Sequence, residues 1–349
     1  MKKQNALVVL SALTLSTVAS ADDAAKFGGF VDAQTTVGTA KFAKTDNGTY
    51  RLSNKINDGA LYFSKSLGGG SAAIDLPFNL ITSGATNLNF ANSQAQAYVN
   101  YGYSNGVSWR MGQFDGIFGL ERNDSKDVLF TEVGQIRKLA QPIVHTGLMV
   151  GYELSKTLNF QALVTSVADT GPLTITSRNN AAGNKTYEYG GKISYSDAFR
   201  LSLGTLMHKV RDVALVGATN ASNESESYIN VTAGTKVDHL NLDVEYTTKS
   251  YYAASTITPN RKEKVTGSAI GAIASYELND STNVAARFQT LSKIDASHYS
   301  MMEVTVGPQF QMTKDLRVKA DLTMSSMKAA AGADSISNNH ARVAAVYSF

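Results

Sequence analysis

Apolar and polar residues alternate along most of this chain, and residues 240–249 show the pattern most clearly. Leu242 and Val244 would point to one side of a strand there, and Asp243 and Glu245 to the other. Side chains on a β-strand alternate between two faces, so this period of two predicts a ribbon with one apolar and one charged surface. The same period recurs along the chain, which predicts a protein built of strands.

The alternation predicts about sixteen strands. Their predicted bounds are 28–39, 58–67, 71–80, 94–103, 107–114, 142–154, 157–167, 186–195, 199–208, 228–237, 240–249, 266–278, 281–291, 301–312, 316–326 and 340–349. Tight connections rich in Gly, Asn and Asp, as hairpin turns require, alternate with long polar connections. This arrangement predicts an all-β fold, a transmembrane antiparallel up-and-down β-barrel with short periplasmic turns and long extracellular loops.

The placement of aromatic residues favours lipid as the partner of the apolar face. Tyr101, Trp109, Tyr276 and Phe310 lie near predicted strand ends, where a membrane protein has its interfacial girdle. A water-soluble sandwich would instead turn its apolar face inward. Three apolar residues depart from the pattern and are predicted to point into the barrel: Leu163, Ile273 and Val346.

The N-terminus has the features of an export signal. Lys2 and Lys3 precede an apolar run over residues 6–18, and small residues follow up to Ala21. This order predicts a cleavable signal peptide over residues 1–21 and a barrel over residues 22–349. Loss of the two lysines lowers the formal charge from +3 to +1, which argues against nucleic acid as a partner. The chain has no Cys, so disulfides and thiolate chemistry are excluded.

The chain ends in Phe349 after alternating residues, which resembles the last strand of bacterial outer-membrane barrels, where a terminal aromatic is an assembly signal. Residues 112–121 and 141–147 are similar to the OmpL-like beta-barrel porins. The resemblance implies an outer-membrane porin, a water-filled channel for passive diffusion of ions and small hydrophilic solutes, surrounded by lipid and without a cofactor. A homotrimer is compatible with small residues on the joining strands, which do not decide the oligomeric state: Gly28, Gly29, Ala33, Ala341 and Ala345.

The third long connection, residues 115–141, is the best candidate site. In trimeric diffusion porins, the resemblance implies, this loop folds into the barrel and narrows it. Its acids are Asp115, Glu121, Asp124, Asp127 and Glu132. The inward-facing bases that would oppose them are Arg110, Lys192, Arg200, Lys236, Arg287, Arg317, Lys319 and Arg342. Such a constriction would orient polar solutes and tune ion selectivity. Alternatively, the loop only covers the outer mouth, with its charges in water.

Three other functions stay open. A substrate-specific channel would need an aromatic track or a ladder of one charge sign in the lumen, whereas both signs occur here. An outer-membrane hydrolase would need a catalytic constellation, but HExxH and GxSxG are missing, and Ser202 and His208 are six residues apart. A structural or adhesive barrel would bind a partner through its loops. The sequence therefore predicts a protein that is not an enzyme and has no metal site.

Overall fold

The computed structural model describes residues 25–41, 49–67, 70–81, 87–90, 95–166, 187–211, 223–254, 262–294, 300–328 and 335–349. The strands are β1 (Lys26–Lys41), β2 (Thr49–Leu67), β3 (Gly70–Ile81), β4 (Asn87–Phe90), β5 (Gln96–Gly102), β6 (Val107–Asp115), β7 (Val144–Glu153), β8 (Leu158–Ser166), β9 (Tyr187–Ser196), β10 (Phe199–Arg211), β11 (Asn223–Val237), β12 (Leu240–Ala254), β13 (Lys262–Asn279), β14 (Thr282–Ser292), β15 (Ser300–Gln311), β16 (Leu316–Lys328) and β17 (Ser335–Ser348). A 3-10 turn (Ser125–Asp127) and a π-helical turn (Ile136–Ala140) lie between β6 and β7. Among the described residues, no helix is long and apolar enough to cross a membrane.

The strands form one closed antiparallel sheet. Each strand pairs with its neighbours in the chain, except that β3 pairs with β5, and β4 pairs only with the end of β3. The wall therefore has sixteen strands in the described part of the chain. β1 also pairs with β17, over twelve residue pairs, so the sheet closes on itself. Within the described residues, closure leaves the sixteen-stranded wall without a free edge, as a bilayer requires of a protein that crosses it with strands. The predicted fold class is confirmed.

Strand bounds agree best at the tight-turn end of the barrel, where predicted and observed positions differ by at most two residues. At the other end several strands are longer than predicted, and the largest difference is in β2, which begins at Thr49 rather than at residue 58. Alternation is required only where one face meets lipid, because beyond the bilayer both faces of a strand meet water. Apolar periodicity therefore locates the membrane-embedded part of each strand and not its extension.

The two faces of the strands have the predicted directions. On β12, Val244 is 52% exposed on the outer surface, whereas Glu245 is 5% exposed inside the barrel. On β16, Leu322 is 63% exposed and its neighbour Asp321 is 4% exposed. The apolar surface of the sheet therefore faces outward and the charged surface encloses the lumen.

The apolar residues predicted to point inward do so, and each has a neighbour that explains it. Leu163 is 2% exposed in a cluster with Phe114, Phe118 and Leu206 at the base of the 115–141 segment. Val346 packs with other wall residues of the first strands. Ile273 lines a cavity inside the barrel. These exceptions to alternation mark the parts of the inner wall that contact protein or a lumenal cavity.

Candidate pore constriction

The segment between β6 and β7, residues 116–143, lies inside the barrel, and we call it the inner loop. On one side of the lumen, Lys192 of β9 donates to the carbonyl of Ile117 at 2.7 Å. On the opposite side, Arg317 of β16 donates to the carbonyl of Lys126 at 2.9 Å. Contacts of this kind reach strands around most of the circumference, so the loop crosses the lumen.

Apolar side chains explain why this loop folds into the lumen and does not stay in the water outside the barrel. Phe118, Phe130 and Ile136 are each at most 2% exposed. Phe118 packs edge-on against Tyr228 of β11 with ring centroids 5.1 Å apart. Burial of a large apolar side chain contributes about 1.5–3 kcal/mol. Several such residues together provide a strong driving force for docking the loop into the lumen.

A buried ion-pair network anchors the inner loop to β14 and β15. Arg287 of β14 donates to Glu121 of the loop at 2.7 Å and to Glu303 of β15 at 3.1 Å. Its guanidinium also lies over the Phe130 ring, 4.5 Å from the ring centroid. All three charged side chains are at most 6% exposed. Removal of one partner would leave a buried charge without its counterion, which is strongly destabilising.

Glu132 forms a second anchor near the long-loop side. Its carboxylate lies 3.0 Å from Lys138 of the same loop, 3.3 Å from Lys55 of β2 and 3.3 Å from Arg342 of β17. Burial alone would raise the pKa of Glu132, but these three cations hold it well below its usual range. Glu132 is therefore ionised and fixed between the loop and the closing strands.

Polar side chains of β15 and β16 hold the backbone of residues 125–131. Lys319 donates to the carbonyls of Val128 at 2.6 Å and Phe130 at 3.3 Å, and also to that of Ser125. Asp321 accepts from the Thr131 N–H at 2.8 Å and from its hydroxyl at 2.7 Å. A backbone placed inside a barrel needs such partners, because its polar groups are removed from water.

The remaining predicted bases do not bind the inner loop in this way. Arg200 forms a salt bridge of 2.8 Å with Asp243 on β12, and Lys236 forms one of 2.7 Å with Glu277 on β13. Arg110 lies over the ring of Tyr98, 4.6 Å from its centroid. The expectation that all eight bases face loop acids across water is therefore too simple. Five of them contact the loop, and four of those five donate to backbone carbonyls.

On the side of β2, β3 and β6, four carboxylates are bound mainly by neutral donors, and we call them the acidic side: Asp58, Asp75, Asp115 and Asp124. The Tyr62 hydroxyl donates to Asp124 at 2.6 Å, and the Ser125 N–H donates to Asp58 at 2.8 Å. Gln96 donates to Asp115 at 2.8 Å and to Asp75 at 3.4 Å. Burial raises the pKa of Asp124, the Tyr62 hydrogen bond and Lys126, 4.0 Å away, oppose that shift, and the carboxylates of Asp115 and Asp127 add to it. Negative charge is less compensated here than beside β14–β17.

Two cavities lie on the tight-turn side of the inner loop, and Asp127 lines both. The first, of about 420 Å³, is also lined by Glu121, Arg200 and Asp243. The second, of about 350 Å³, is also lined by Lys126 and Arg317, among others. Both cavities carry charges of both signs.

Comparison with known proteins identifies the chain. Residues 25–349 match the family described as "Putative beta-barrel porin-2, OmpL-like". The chain belongs to this porin family. Similar solved structures include the channel DcaP of Acinetobacter baumannii, with a TM-score of 0.67, 13% identity and coverage of 96% of this chain and 100% of that chain. OmpF of Salmonella typhi has a TM-score of 0.62 at 11% identity, with coverage of 94% of this porin and 98% of OmpF.

OprB of Pseudomonas putida is also similar to this porin, with a TM-score of 0.61, 11% identity and coverage of 94% of each chain. At such low identity these structures agree in fold. No curated protein matches the sequence. Family and fold together make this porin an outer-membrane channel of bacteria through which small solutes diffuse.

The residues discussed as catalytic or metal-binding candidates are part of the porin wall. Ser202 and His208 lie six positions apart on β10, and the Ser202 hydroxyl is 2.6 Å from that of Thr232 on β11. In the described ranges, no three His, Asp or Glu side chains are grouped so that they could hold a metal ion.

Several residues that position the inner loop were not singled out from the sequence. Arg137 and Asn123 bind within the loop, Tyr62 binds Asp124, and Gln309 of β15 donates to the carbonyl of Val128 at 3.3 Å. One signal was present in the sequence. Residues 117–139 of the porin contain many apolar side chains, more than a loop in open water would carry, which indicates a buried loop.

Proposed function

We propose that the inner loop is the constriction of this diffusion channel, and that the charges beside it determine which solutes pass. The observation that carries the proposal is the anchoring of one loop on opposite sides of the lumen, by Lys192 on β9 and by Arg317 on β16. Ions and small hydrophilic solutes would pass between the loop and the wall. About sixteen strands enclose a lumen wide enough for water, so the loop and not the wall would limit the passage.

The predicted site residues would have three roles. Glu121 and Glu132 would position the loop through Arg287 and Arg342. Lys192, Arg317 and Lys319 would hold its backbone. The remaining residues would face the solute: Asp115, Asp124, Asp127, Arg110, Arg200 and Lys236. This division separates residues that fix the opening from residues that interact with what passes through it.

The acidic side supports a preference for cations. Its carboxylates accept hydrogen bonds mainly from neutral donors, whereas Arg287 and Arg342 beside β14–β17 are already paired with carboxylates. Rings of acidic side chains select cations in water-filled pores. A potassium chloride gradient across a planar bilayer would test this preference, because a cation-preferring channel gives a reversal potential of the corresponding sign.

Removal of the loop tests the constriction. A variant in which a short Gly-Ser linker replaces residues 122–135 should form the barrel and show a larger unitary conductance than the wild type. A matched control shortens the connection between β4 and β5 instead. Equal conductance of wild type and the loop variant, with both barrels folded, would refute the proposal.

Other functions would give different results in the same apparatus. A substrate-specific channel would show conductance that saturates with one solute, and a purely structural barrel would show none. An enzyme would hydrolyse an ester or peptide substrate, and we propose that this porin does not. The mixed charges of both lumenal cavities favour general diffusion over one specific substrate.

We also propose that the porin forms a homotrimer in the lipid of the outer membrane. The small residues Ala33, Ala341 and Ala345 are exposed on the outer face where β1 meets β17, and Ala33 pairs with Ala345. OmpT of Vibrio cholerae, which has a similar fold, has a trimer form. An Ala345→Trp variant should dissociate the trimer in native mass spectrometry, whereas Leu203→Trp on the opposite wall should leave it intact.

The prediction that residues 1–21 are a signal peptide concerns residues outside the described ranges, and we propose it here as the export route. Sequencing the N-terminus of the purified outer-membrane protein should give Asp22 as the first residue. Retention of Met1 in the mature protein would refute it.

A further inference from the structure

Arg137 has an unusual environment inside the inner loop. It lies on the π-helical turn Ile136–Ala140 and is 3% exposed. Its Nε donates to Asn123 Oδ1 at 2.9 Å, and its Nη1 donates to the carbonyl of Phe118 at 3.2 Å. It also donates to Gln141 Oε1 at 3.2 Å and to the carbonyls of Pro142 at 3.1 Å and Ile143 at 3.2 Å. All five acceptors belong to the loop itself.

These acceptors lie on two different parts of the loop. Residues 116–123 form the outgoing arm and residues 134–143 the returning arm. At the wall, the Gly116 N–H donates to the Ile143 carbonyl at 2.8 Å, and the Asn123 amide donates to the same carbonyl at 3.0 Å. Arg137 extends this contact toward the lumen, because its guanidinium reaches Phe118 and Asn123. The Arg137 side chain therefore binds acceptors on both arms, where Asn123 and Glu121 each add one further bond between them.

Arg287 provides an instructive contrast. Arg287 binds a carboxylate on the loop and another on the wall, so it fixes the loop to the barrel. Arg137 binds carbonyl and amide oxygens within the loop, so it gives the loop its own shape. Burial lowers the pKa of Arg137, and the nearby carboxylate of Asp115 opposes that shift. A buried guanidinium is tolerated only when it has hydrogen-bond partners, and here each of its three nitrogens has at least one acceptor.

We propose that Arg137 is the positioning residue that sets the width of the constriction. By joining the arms it fixes where the tip of the loop, with Asp124 and Asp127, lies relative to the wall. Arg137 does not touch the solute in this scheme. The inference rests on the proposed function of the inner loop as the constriction.

Replacing Arg137 with lysine distinguishes the effect of hydrogen-bond geometry from the effect of positive charge. Lysine keeps the positive charge but has three donors on a single nitrogen, whereas arginine has five in a planar fork. Lysine therefore cannot reach both arms with the same set of bonds. Arg122 is exposed on the same loop, so Arg122→Lys is the matched control with the identical chemical change.

The experiment compares wild type, Arg137→Lys and Arg122→Lys as full-length protein in planar bilayers with potassium chloride. We expect Arg137→Lys to form a heat-modifiable barrel with higher and more variable unitary conductance, and Arg122→Lys to match the wild type. Amide hydrogen exchange of residues 124–131 should be about tenfold faster in Arg137→Lys, as expected from the loss of one or two net hydrogen bonds.

Each outcome either supports or overturns the inference that Arg137 positions the inner loop. Wild-type conductance and wild-type exchange in a folded Arg137→Lys barrel would overturn the inference, as would equal changes in Arg122→Lys. Failure of Arg137→Lys to form a barrel would overturn it too, because Arg137 would then act on folding of the wall. If wild type does not conduct, the proposed function fails, while the exchange measurement still tests whether Arg137 positions the loop.

Discussion

In this porin the outer surface of the strands is apolar and the inner surface is polar, which is the reverse of a water-soluble protein. Large apolar side chains such as Leu322 and Val244 are more than half exposed on the outer surface. Ionic side chains such as Arg287, Lys319 and Asp321 are at most 4% exposed in the lumen. The closely packed interior of this porin is therefore its polar side. Its inner loop, and not a second layer of sheet, provides that packing.

The comparison predicts that a charge added to the outer surface destabilises the protein, whereas on the inner surface it is the removal of a charge that does so. A charge introduced on the outer surface meets hydrocarbon, whereas a charge removed from the inner surface leaves a buried partner behind. Four predictions test this inversion, from the largest expected effect to the smallest.

Arg287→Met should have the largest effect, because it leaves Glu121 and Glu303 buried without their cation. Loss of one partner from a buried ion pair destabilises by about 3–5 kcal/mol, and here the loss would act on docking of the inner loop. Hydrogen exchange of the loop amides should accelerate accordingly. Arg200→Met is the control, since its salt bridge is partly exposed and should contribute about 0–1 kcal/mol. Similar exchange in both variants would contradict the burial argument.

Val244→Arg should destabilise the barrel by about 2–4 kcal/mol, because it places a charge near the middle of the bilayer. Urea unfolding in lipid vesicles measures this loss. Asp243→Asn, one residue away on the lumenal face, should change the unfolding free energy by about 1 kcal/mol or less. Equal effects of the two substitutions would mean that the faces are assigned wrongly.

Acid should weaken the anchor at Glu132. The pKa of Glu132 is lowered in the folded protein, so the ionised carboxylate stabilises the docked loop above its ordinary pKa of 4.5. That contribution is lost as the pH falls from there through the lowered pKa. In the Glu132→Gln variant the inner loop should therefore undock more readily than in wild type at neutral pH. The difference should vanish in strong acid. Loop amide exchange measured across the pH range checks this, and a constant difference would contradict it.

Asp124→Asn should have the smallest effect, a reduced cation preference without loss of folding. The pKa of Asp124 is raised, so wild type should lose cation preference at a higher pH than an ordinary Asp with a pKa of 3.8 would allow. Reversal potentials at several pH values should show a flatter profile in Asp124→Asn. Asp238→Asn, in an exposed turn, is the control and should behave as wild type. Identical profiles for the two variants would argue against the acidic side as the selective element.

Much of the fold follows from the sequence because each strand must present an apolar face to lipid. That constraint ends at the membrane surface, which is why β2 is longer than predicted, and why β4, a short strand paired only to the end of β3, gave no usable signal. The tight turns were located accurately because Gly, Asn and Asp are needed at defined positions there.

The candidate site was predictable only as a set of charges. The sequence placed Glu121 in the third long loop and Arg287 on an inward face, but their contact joins residues 166 positions apart. Pairing depends on the path of the loop across the lumen, which no local pattern specifies. Arg137 was missed for a related reason, since its partners include backbone carbonyls and neutral amides, which leave no mark in the charge pattern.

The pairing between the first and last strands affects the order in which the strands of the wall separate on heating. β1 and β17 share twelve described residue pairs, whereas β3 with β5, and β5 with β6, share six each. On heating, strand pairs should therefore separate first at β5, in the interior of the chain. The pairing of β1 with β17 should be among the last to separate. A molecule in transit would accordingly follow the long axis and would not escape sideways between the two terminal strands.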